Sequence, residues 1–182
     1  MAFESYYWRK NIKRDITEIR KMMLVDLNVL EGEKFDEVFS KVEIKIFMMA
    51  FSIRKLLETR KLPDSVLDAT IKVTKFKRNT ERAGWFFDFD KLFDFNKSIK
   101  EDLKLKYFLN QIIHSYVFQA SSTRKGNLSY LYFTSDKKRK EWLYLIRLET
   151  LLKFIEKIAK QEVTHMETKY DESTGEFITK TR

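Results

Sequence analysis

Residues 107–118, Tyr-Phe-Leu-Asn-Gln-Ile-Ile-His-Ser-Tyr-Val-Phe, contain no charged side chain. A stretch like that must be wrapped by other elements on more than one side. At about 100° per residue, Leu105, Leu109, Ile112 and Tyr116 share one helical face. Leu103, Tyr107, Asn110, His114 and Val117 share the opposite one. Ser98-Ile-Lys-Glu101 has the spacing of a capping box, in which serine and glutamate satisfy orphan N–H groups reciprocally. The pattern predicts a helix from about 98 to 118, with Asn110 and His114 one turn apart and turned toward a second packed side or a cleft.

The chain on either side reads mostly as helix. Ile12, Ile16, Ile19 and Met23 lie on one face of a helix over about 3–27. After Gly32, a second helix is expected over about 33–61. Its middle, 44–53, is apolar almost all round. Arg54 lies in line with Phe47 and Phe51, followed one turn later by Glu58, as an intrahelical pair or as an arginine held beside a pocket. Pro63 disfavours helix in the residue before it. A fourth helix is expected over about 136–163, capped by Ser135. Four glycines and one proline in 182 residues also favour long helices over a turn-rich sandwich.

Smaller β features break this pattern. Thr70–Arg78 carries β-branched residues in rough alternation, as a short strand does. Gly126 between two strand-like runs predicts an inserted hairpin at about 117–134, and residues 164–182 read as a C-terminal hairpin or tail. The expected fold is mainly α (α+β), a bundle of four long helices with one or two small β-hairpins. It forms one domain over 1–163, with the tail appended.

Charge narrows the partners. The formal net charge is +9, which points to an anionic partner such as RNA or serves only to keep the chain soluble. Basic clusters occur at Lys75, Lys77, Arg78 and Arg82 and at Lys137, Lys138, Arg139 and Lys140. The second cluster would sit in the first turn of the fourth helix, where cations oppose the helix dipole; a bound phosphate or plain solvation would account for it. The absence of cysteine excludes disulfides and thiolate metal sites and fits a reducing compartment. No apolar run approaches the ~20 residues of a membrane span, so a cytoplasmic protein without membrane contact is expected. Asp88 and Asp90 among aromatics are a weak cation signal. More simply, the rings fill the core while the carboxylates face water. No metal site or cofactor is expected. Phosphate-binding and dinucleotide glycine patterns, zinc-protease motifs and the serine-hydrolase elbow are all missing.

An imidazole with a nearby cation is sufficient for metal-independent RNA cleavage through the 2′-hydroxyl: the imidazole moves the proton, and the cation stabilises charge on phosphorus. His114 as proton carrier, Asn110 as its neighbour and Arg54 as the cation are the candidate catalytic set. The alternative is a neutral core histidine satisfied by Asn110, Ser115 or a carbonyl. Asn110-Gln-Ile-Ile-His114 resembles the end of the R-N-x-x-x-H motif of HEPN domains, with Leu109 where that family has its arginine. The resemblance implies a four- or five-helix bundle, often dimeric, that is a metal-independent endoribonuclease of bacterial defence or toxin–antitoxin type, or a degenerate relative that only binds RNA or nucleotide. A non-enzymatic accessory subunit, using a hairpin to add strands to a protein partner, stands beside it.

Overall fold

A computed structural model describes residues 5–79 and 89–182, apart from the side chains of 89 and 90. Helix α1 spans Ser5–Met22 and α2 spans Glu33–Glu58. Strand β1 (Thr70–Arg78) is followed by the one-turn helix α3 (Phe89–Leu92) and by β2 (Phe93–Lys104). Then come α4 (Leu105–Ile113), β3 (Ser115–Ser122), β4 (Leu128–Ser135), β5 (Trp142–Arg147), α5 (Leu148–Ala159), and the pair β6 (Met166–Asp171) and β7 (Glu176–Thr181). Among the described residues, no helix is long and apolar enough to cross a membrane.

The four-helix bundle is not formed. The architecture is α+β: a five-stranded antiparallel sheet in the order β2-β1-β5-β4-β3, with a separate two-stranded sheet at the C-terminus. Two of the four expected helices are therefore wrong in large part. The first error is at 98–104. Ser98 and Glu101 do not cap a helix; they pair with Phe76 and Val73 in β2. A capping box is a local signal, and here it loses to the long-range ladder with β1. The helix begins only at Leu105, whose N–H reaches the carbonyl of Ala69. It ends at Ile113, and Tyr116 and Val117 belong to β3.

The second error is at 136–147. Residues 136–141 form a turn, and Trp142–Arg147 is a strand. β5 is the central strand of the sheet, covered on both faces. Tyr144 and Ile146 join the main core, while Leu143 joins a second cluster with Phe76, Phe93 and Val117 on the opposite face. A short apolar run buried on both sides looks the same by periodicity whether it is strand or helix.

Helices α1, α2, α4 and α5 lie on one face of the sheet. α1 packs on α2 and α5, and α4 and α5 pack on β4. α1 buries Ile12, Ile16 and Ile19. α5 buries Leu148, Leu151, Leu152, Ile155 and Ile158 on its inner stripe. Phe108 meets Phe133 edge-on at 5.5 Å, and Phe133 stacks on Tyr144 at 5.4 Å. Phe108 and Phe133 are completely buried, worth roughly 1.5–3 kcal/mol of apolar transfer each.

Candidate functional site

The three candidate catalytic residues divide between two places. Arg54 and Asn110 come together: α2 and α4 pack side by side, and Arg54 Nη1 donates to Asn110 Oδ1 at 3.4 Å. Both line a cavity of about 420 Å³ floored by Leu57, Leu62, Leu67 and Leu109. Arg54 is also engaged by Glu58, with Nε 2.8 Å from Oε1. Hydrogen bonds from Lys55 and then Arg54 hold the Glu58 carboxyl below its ordinary pKa. Leu109 is buried in the floor. Lys106, which the sequence reading passed over, adds a cation to the same wall.

His114 does not line this cavity. The helix stops one residue before it, so the expected continuous face through Asn110 and His114 is broken there. His114 is the C-cap residue of α4. It donates its backbone N–H to Asn110 O, and its own carbonyl accepts from Asp136 N at 3.2 Å. Its side chain is exposed, so it is not a core histidine.

Through its carbonyl, His114 is tied to a different neighbourhood, which gathers most of the predicted basic residues. β1 and β5 are antiparallel with Lys77 opposite Trp142. The end of β1 therefore meets the 136–141 turn that leads into β5. Two basic segments 61 residues apart in sequence are joined there. Arg78 N donates to Glu141 O at 3.0 Å, and Arg78 Nη1 donates to Arg139 O at 2.9 Å. The turn is held from its other side as well. Lys138 N and Arg139 N both donate to Ser135 O, and Ser135 N donates to the buried Gln111 Oε1 at 3.2 Å.

Side chains on this rim have different roles. Lys77, Lys137 and Lys140 are exposed and have no ion-pair partner among the described residues. Arg139 lies 4.0 Å above the ring of Tyr116, with Nε 2.9 Å from Asp136 Oδ1. Lys138 pairs with Glu141 at 2.9 Å, and that hydrogen bond raises the pKa of its ammonium. Arg78 is a clamp on the turn, not an outward-facing cation. Lys75 is no ligand contact: it is 3.2 Å from Glu101, 4.2 Å over Trp142, and its side chain is only 16% exposed. Arg82, Asp88 and the side chain of Asp90 lie outside the described residues.

The rim carries six cations, at Lys77, Arg78 and 137–140, against the carboxylates of Asp136 and Glu141. The conflict with a helix dipole at 137–140 disappears, because the segment is a turn between strands. Tyr116 was legible only as an apolar helix position; its place beneath Arg139 depends on the strand that replaces that helix. Among the described residues, no group of three or more His, Asp or Glu is placed to hold a metal ion. The chain has no match among protein-family models, curated proteins or solved structures.

Proposed function

We infer that the protein binds RNA through the basic rim formed by the end of β1 and the 136–141 turn. The observation that carries this reading is the convergence of two distant basic segments on one fixed turn, with Arg78 joining them. Lys77, Lys137 and Lys140 contact phosphates as mobile point charges. Arg139, stacked on Tyr116, offers a planar cation to a phosphate or an unpaired base. Such binding is sequence-tolerant and salt-dependent, with log K falling by about 0.7 per phosphate contact on a single strand per log unit of salt.

A cleavage reading has one observation in its favour. His114 is exposed, and its carbonyl is hydrogen-bonded to the first residue of the basic turn. In this reading a cation of the turn would serve the imidazole, because Arg54 lies in the separate cavity on α2.

The test is fluorescence anisotropy with a labelled 20-nucleotide uridine RNA, from 50 to 300 mM salt. Wild-type protein is expected to bind with a Kd of about 1–100 µM near physiological salt. Lys137→Glu with Lys140→Glu weakens binding more than tenfold and flattens the salt slope by about 1.4. No binding at 50 mM salt, or binding unchanged in the double variant, removes the proposal. In the same tubes with EDTA, loss of cleavage in His114→Ala with an unchanged Kd assigns the imidazole to chemistry; absence of cleavage by the wild type leaves RNA binding alone.

A further inference from the structure

The two edges of the main sheet are finished differently. β2 carries six charged side chains in twelve residues: Asp94, Lys97, Lys100, Glu101, Asp102 and Lys104. Charge along an edge is a usual guard against pairing with foreign strands. β3, Ser-Tyr-Val-Phe-Gln-Ala-Ser-Ser, carries none in eight residues. Beside it, the first half of α2 stands off the sheet edge and leaves a groove of about 460 Å³ along residues 117–122. The helical wall of that groove is Phe35 and Phe39, with ring centroids 4.7 Å apart, followed by Glu43.

Glu43 shows what the groove recognises. Its Oε1 accepts the backbone N–H of Ala120 at 2.8 Å, so that N–H points away from β4. By the alternation of an antiparallel strand, Phe118 also directs its N–H and C=O outward. The carboxylate thus stands where the carbonyl of an added strand would stand. Only Asp36 and Glu43 are ionisable among the groove's lining residues; both are acidic in a chain of net charge +9. Burial raises the Glu43 carboxyl pKa, and the Ala120 bond offsets part of that rise.

We propose that the groove between β3 and α2 is a docking site for an extended segment of a partner protein that carries lysine or arginine. The segment adds to the sheet as a sixth strand beside β3. Its apolar side chains rest on Phe35 and Phe39, and its cations pair with Asp36 and Glu43. The incoming carbonyl takes over the Ala120 N–H, which releases Glu43 to meet the incoming charge. Nucleic acid is excluded from this groove by the sign of its charge.

The probe is an acetylated and amidated hexapeptide, Lys-Val-Lys-Phe-Lys-Val, titrated into isotope-labelled full-length protein and followed by amide NMR. Shifts are expected to concentrate at residues 117–122. The Glu-Val-Glu-Phe-Glu-Val counterpart should bind at least tenfold more weakly. So should the basic peptide methylated on alternate backbone nitrogens, which keeps its charge and loses strand pairing. In Glu43→Gln, a variant that keeps an oxygen for Ala120, the preference for the basic peptide should fall at least threefold. Equal binding of both peptides, unchanged binding after N-methylation, or shifts centred elsewhere would overturn the proposal. It is equally overturned if light scattering gives a dimer without peptide and the β3 amides are protected in that dimer, because a second copy is then the occupant.

Discussion

Strand β3 separates two surfaces of opposite character. At its start, beside His114, lies the basic rim; along its outer edge lies the acidic groove. The rim is built from turn backbone pinned by Arg78 and Ser135 O, with lysines projecting from it. The groove is built from a helix, an uncharged strand edge and two carboxylates. A polyanion and a cationic strand can therefore occupy one molecule without competing, and net charge alone, at +9, conceals the acidic surface.

Three perturbations sharpen or break this contrast. The largest effect is expected from Arg78→Ala, which removes the clamp on the turn. RNA affinity should fall about tenfold, hydrogen exchange at 136–141 should accelerate, and binding of the basic peptide should be unchanged. Arg78→Lys keeps the charge but not the planar fork that reaches Arg139 O, so it should restore only part of the loss. Full recovery would make Arg78 a mere charge. Phe39→Ala should act on the other side alone, weakening the peptide about threefold and leaving RNA binding intact. Phe39 is half-buried, so the melting curve should register about 1–2 kcal/mol, less than the 3–5 typical of a fully buried ring.

The smallest effect is in titration. By carboxyl NMR, Glu43 should protonate above the ordinary glutamate range and Glu58 below it. For Glu43 the folded-state pKa is raised. Its contribution to stability is therefore fully present below the unfolded value and is lost as pH rises through the folded one. Basic peptide should shift the Glu43 midpoint downward, and RNA should leave it in place.

Legibility from sequence followed the range of the interactions. α1 and α2 were readable because their stripes, such as Ile12, Ile16 and Ile19, are set by neighbours one helical turn away. The strand at Thr70–Arg78 was readable from its β-branched residues, and Gly126, at φ 80°, occupies the turn between β3 and β4. β2 and β5 were not, because each pairs with β1, which ends about fifteen residues before β2 and more than sixty before β5. Ser98–Glu101 satisfies a helix cap on paper, and Trp142–Ile146 is apolar on both faces as a buried helix would be. The site divided for the same reason. Arg54 and Asn110 met because α2 and α4 pack, but His114 was lost from their face when α4 ended at Ile113. The basic clusters were legible as clusters; their union required knowing that the end of β1 lies against the start of β5.

The clamp on the 136–141 turn bears on how fast a ligand is captured. A turn already locked by backbone hydrogen bonds has little entropy left to lose on contact, so encounter should be limited by diffusion and long-range attraction. Raising the salt should then slow arrival far more than it hastens departure.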